Sequence, residues 1–83
     1  MEPTKKELGV AEELYTELLE YTGRGEHEQM RPPSELRTNK KEMDDVREFY
    51  DEFDNDEMRG FMLMNPMGTY AKYMIELADK YNF

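Results

Sequence analysis

Apolar residues in this chain recur at intervals of three and four, the period of an amphipathic helix, along three separate stretches. The first carries Leu8, Ala11, Leu14, Tyr15, Leu18 and Leu19. Thr4 and Glu7 have the spacing of a capping box, in which each side chain satisfies an unpaired backbone N–H of the first turn. Thr22-Gly23 supplies the stop, with glycine suited to the left-handed position past the last turn. A helix over residues 4–22 is expected.

The second stretch has Met43, Val46, Phe49, Tyr50 and Phe53 on one face, with Asn39 and Glu42 placed to cap its start, and predicts a helix over 39–54. The third opens on Asn65-Pro66, an asparagine cap followed by proline at the first helical position. Met67, Tyr70, Ala71, Met74, Leu77, Ala78 and Tyr81 then predict a helix over 66–81. Gly68 falls in its first turn, where glycine costs less than in mid-helix.

Between these lie two irregular segments. Residues 23–37 contain Gly23, Gly25, Pro32 and Pro33, with Met30 and Leu36 isolated, and read as a surface linker. Residues 55–64 form a short Met-rich connector: Asp54-Asn55-Asp56 can cap a further turn, Gly60 weakens a continuous helix, and periodicity does not decide whether 57–64 are helical or extended. The fold expected is all-α, a small three-helix bundle forming a single domain over residues 1–83.

Composition narrows the chemistry. At 83 residues without cysteine, disulfides and thiolate metal sites are excluded, and a fold this small gains stability from close helix packing, self-association or a partner. No secretory signal is visible, and the longest apolar run, Phe61 to Met64, is far short of the roughly 20 residues that span a bilayer. A cytoplasmic protein is expected.

Twenty acidic residues against eleven basic ones give a net charge of -9, which opposes direct binding to nucleic acid or to an anionic membrane. The charge is uneven: residues 42–57 hold nine acids against Arg47 alone. If the apolar residues of the second helix face inward, Asp44, Asp45, Glu48, Asp51 and Glu52 face outward or sit on the flanks, and Asp54, Asp56 and Glu57 extend the cluster. Side chains three or four apart on a helix lie about 5–6 Å from each other. That spacing is comparable to successive phosphates on one DNA strand, so the face can imitate nucleic acid. The rival view is an ordinary solvated helix face.

A calcium loop does not fit. Counting from Asp54, Met58 occupies the fifth position, Arg59 takes the sixth in place of glycine, and Asn65 takes the twelfth in place of glutamate. Catalytic signatures are also missing. The one histidine, His27, lies between Glu26 and Glu28 in the linker; Ser34, the one serine, follows two prolines; no phosphate-binding loop or His-Glu-x-x-His occurs. Carboxylates on an exposed helix do not form a paired acid and base. Neither enzymatic activity nor a cofactor or metal is expected.

Two functional expectations follow. The first is a small acidic inhibitor or modulator, analogous in size and charge to proteins of phages and mobile elements. It docks Asp44, Asp45, Glu48, Asp51, Glu52, Asp54, Asp56 and Glu57 on the basic, nucleic-acid-binding surface of a partner protein. The second is a helical adaptor or self-associating protein that works through apolar contacts. Methionine is over-used at adaptable surfaces, and five of the eight methionines lie between Met58 and Met74. Met58, Met62, Met64, Tyr73 and Phe83 are the residues for that alternative; Met58, Met62, Met64 and Met67 also suit a core. Tyr21, Tyr73 and Phe83 fall off the predicted stripes.

Overall fold

The computed structural model describes residues 2–22 and 30–83, and within them the chain is helical with no strand. Five helices follow one another: α1 (Lys5–Thr22), α2 (Pro33–Leu36), α3 (Lys40–Asp51), α4 (Asp56–Leu63) and α5 (Pro66–Tyr81). The three long helices lie where the apolar period places them. α2 and α4 fall in segments read as linker and connector.

α5 organises the core. It packs against α1, α3 and α4, while α2 bridges α1 and α3. Its Tyr70, Ala71, Met74, Leu77 and Ala78 are buried, and they meet Ala11 and Leu18 of α1, Leu36 of α2, Met43, Val46 and Tyr50 of α3, and Met62 of α4. The radius of gyration, 12.2 Å, is close to the ~12 Å of a folded chain of this length. Among the described residues no charged side chain is buried, and no buried side-chain N or O atom is left without a partner.

The helix starts obey local chemistry. Thr4 Oγ1 accepts the Glu7 N–H at 3.1 Å, and Glu7 Oε1 accepts the Thr4 N–H at 2.9 Å, a complete capping box. Asn39, Asn55 and Asn65 cap α3, α4 and α5 by accepting from the backbone N–H of Glu42, Met58 and Gly68 at 3.2, 2.8 and 3.0 Å. α5 ends with Asn82 in the left-handed region at φ 61°, and the Phe83 N–H returns to the Ala78 carbonyl at 3.1 Å. That turn sends the Phe83 ring back against the core.

The described part of the expected linker is not a loose crossing. Pro32 is extended, but Pro33 occupies the first position of α2, where its missing N–H and fixed φ are tolerated. Pro33 and Leu36 are buried, and the Tyr70 hydroxyl donates to the Arg31 carbonyl at 2.8 Å. A single turn is too short to show a period, so its two prolines read as breakers. Residues 23–29, with Gly23 and His27, lie outside the described residues.

The connector is a helix of eight residues, with Asp56 and Glu57 in its first turn, where the helix dipole favours acids. Gly60 does not interrupt it. The α4–α5 corner is tight: the Thr69 hydroxyl lies 3.2 Å from both the Leu63 and Asn65 carbonyls, and Gly68 lies against the Met62 backbone.

Candidate partner-binding surface

α3 sorts its side chains by period. Met43, Val46 and Tyr50 are buried and Phe49 is half-buried, its ring edge-on to Phe53 at 5.7 Å between centroids. Asp44, Asp45, Glu48, Asp51 and Glu52 all face solvent, as do Asp54, Asp56 and Glu57 beyond the helix. Helical spacing puts Asp44, Asp45, Glu48, Asp51 and Glu52 on one side of α3, and Asp54, Asp56 and Glu57 follow in the turn and the first turn of α4.

Part of that charge is balanced. Lys40 lies 3.9 Å from Asp44 and Lys41 lies 3.3 Å from Asp45, both one helical turn away. Exposed pairs of this kind are worth only a few tenths of a kcal/mol, about 0.3–0.5, so they moderate the field without fixing the side chains. Arg47 does not serve the acidic face, because its guanidinium reaches Asp79 of α5 at 2.8 Å. Among the described residues, Glu48, Glu52, Asp54, Asp56 and Glu57 have no ion-pair partner, and they sit where α3 ends and α4 begins.

Acids at a helix C-terminus oppose the dipole. Arg59 of α4 offsets this: its Nε–H donates to the Phe53 carbonyl, its guanidinium sits 4.8 Å over the Tyr50 ring, and it approaches Asp51 at 3.9 Å. The contact ties the start of α4 to the end of α3. Assigned to an irregular connector, Arg59 carries no such role in the sequence.

The apolar candidates scatter. Met62 is buried, 3 % exposed. Tyr73 is half-buried and its hydroxyl donates to the Glu7 carbonyl at 3.3 Å; Phe83 is half-buried against the core. Met67 is also partly buried, whereas Tyr21 is exposed. Met58 and Met64 remain at the surface, 41 % and 83 % exposed, and Phe61 joins them at 70 %. Phe61 was missed as a surface residue because its face is defined only once 57–64 are helical.

Elsewhere, a cleft of about 420 Å³ lies between the N-terminal residues and the end of α5, lined by Glu2, Pro3, Arg37, Tyr81, Asn82 and Phe83. Arg37 is paired with Glu2 at 3.1 Å and the Tyr81 hydroxyl donates to Glu7, so these polar groups are engaged within the fold. Glu7 also accepts from Lys80 at 3.0 Å; with Tyr81 as the largest influence, its carboxyl is lowered from 4.5 to about 2. Among the described residues no three His, Cys, Asp or Glu side chains are grouped to hold a metal ion, and no helix is long and apolar enough to cross a membrane.

Comparison with protein-family models, with curated proteins and with solved structures returns no match. The functional reading rests on the residues and their placement.

Proposed function

We propose that this protein is a small acidic inhibitor or modulator that binds a basic, nucleic-acid-binding surface of a partner protein through the α3–α4 acidic face. The observation that carries this reading is the solvent exposure of Asp44, Asp45, Glu48, Asp51, Glu52, Asp54, Asp56 and Glu57, the first five of them at helical spacing on α3. Like charges at helical spacing destabilise the helix that holds them, and a cationic partner relieves that repulsion. Occupying a surface built for phosphates, the protein blocks or retunes the partner's access to DNA or RNA.

The test is a pull-down repeated at low and high salt, with the captured protein identified by mass spectrometry. Capture of a nucleic-acid-binding protein that is lost at high salt supports the reading. The triple variant Asp44→Asn, Glu48→Gln, Asp51→Asn should lose that partner while keeping its thermal transition, because all three side chains are exposed. Undiminished binding by the triple variant at physiological salt overturns the reading.

A further inference from the structure

The face that α4 turns outward is not one a solvated helix needs. At 3.6 residues per turn, Glu57, Gly60, Phe61 and Met64 fall on one side of α4, and Met62 on the other. Met62 is buried, while Phe61 and Met64 stand 70 % and 83 % exposed, with Met58 on the flank at 41 %. Isolated surface hydrophobics are ordinary, but a contiguous patch on a small protein marks an interaction surface. Phe61 and Met64, three apart, lie one helical turn from each other and both face water.

Gly60 shapes this stripe. A Cβ there would meet nothing within 4 Å, so no internal contact requires glycine. Gly9 is equally unconfined, so the glycine describes the surface and does not by itself argue for a ligand.

Charge selects the occupant. The stripe starts at Glu57 and is bordered in sequence by Glu52, Asp54 and Asp56, all exposed and without ion-pair partners among the described residues. Arg59, the nearest cation in sequence, is drawn to Tyr50, Asp51 and the Phe53 carbonyl. A second copy of this chain would bring two acidic rims together, and an anionic membrane would be repelled in the same way. Apolar anchors inside a charged rim are the anatomy of a protein interface. We infer that the α4 stripe docks a basic amphipathic helix of a partner protein, with Phe61 and Met64 as the apolar centre and the α3–α4 acids as the rim. The inference rests on the acidic-face reading and gives that face a centre.

The test uses a synthetic helical peptide with leucine and phenylalanine on one face and lysine on its flanks, titrated into the full chain. Binding is followed by calorimetry and by amide chemical-shift mapping. The expected result is perturbation centred on residues 56–64. F61S/M64S, shown by thermal melt to be folded, should weaken binding about tenfold or more. A control peptide with serine in place of leucine and phenylalanine should bind as weakly to the unaltered chain. Unchanged affinity of F61S/M64S, perturbation centred elsewhere, or self-association of the chain that F61S/M64S abolishes would each overturn the inference. Peptide binding lost only in the Asp44, Glu48, Asp51 triple variant leaves the acidic face standing and removes the stripe. Binding lost only in F61S/M64S keeps the apolar centre but overturns the acidic-face reading and, with it, the choice of a basic occupant.

Discussion

Gly68 of α5 lies directly beneath the carbonyl of Met62: a Cβ at position 68 would fall 2.1 Å from that oxygen. The neighbour is backbone, fixed by the α4–α5 corner, so it cannot rotate away as a side-chain end could. Gly68→Ala should destabilise the protein by about 2–3 kcal/mol, the upper range for overpacking. Gly60→Ala and Gly9→Ala, at exposed helical positions with open space around them, should each stabilise it by about 0.5–1 kcal/mol. Urea unfolding of the three variants checks the opposite signs.

Tyr70 is fully buried, its ring 5.4 Å from that of Tyr15 and its hydroxyl holding the Arg31 carbonyl. Tyr70→Phe keeps the ring and orphans that carbonyl, and should cost about 1–2 kcal/mol. Tyr70→Ala removes the ring from the centre of the core and should cost about 3–5 kcal/mol. In Tyr70→Phe, amide exchange of the α2 turn should accelerate more than that of the middle of α5.

The Glu7 carboxyl joins the first turn of α1 to Lys80 and Tyr81 at the end of α5. Its folded pKa, about 2, lies below the ordinary 4.5. Its stabilisation is therefore complete above the ordinary value and is lost as pH falls from there through about 2. Glu7→Gln should flatten the acid limb of a melting-temperature profile across that window. The partner titrates at the other end: Tyr81 is raised above 10, first by its bond to Glu7 and next by burial. Its contribution is present below 10 and declines as the pH climbs through the raised value.

The unpaired acids where α3 meets α4 repel one another, and salt screens exposed charges over a Debye length of about 10 Å at 0.1 M. Raising ionic strength should increase the melting temperature of the unaltered protein. Glu48→Gln with Glu52→Gln should raise it at low salt and leave it nearly unchanged at high salt. Arg59→Met should lower it by a margin that salt does not remove, because the bond to the Phe53 carbonyl and the contact with Tyr50 are local.

α1, α3 and α5 are legible in the sequence because each carries an apolar stripe long enough to show its period, and Asn65-Pro66 marks a start by chemistry alone. α2 is illegible for the opposite reason: one turn has no period, and Pro33 looks the same whether it breaks a helix or begins one. In α4 the signals conflict. Met62 faces the core while Phe61 and Met64 face water, so neither apolar pattern dominates, and Gly60 argues against the helix that forms. The outward placement of the five acids from Asp44 to Glu52 could be read from the helical spacing; the engagement of Arg47 by Asp79 and of Arg59 by the α3 terminus could not, since both depend on how distant helices meet.

α3, α4 and α5 all begin at an asparagine, whose amide carries no titratable proton. Acid therefore does not loosen the side chains that start those three helices. The helix start that does involve a carboxylate belongs to α1, and Glu7 holds its charge down to about 2. The starts of α1, α3, α4 and α5 thus rest on a hydroxyl, three amides and one low-titrating carboxyl, so mild acid leaves the protein's backbone frame in place.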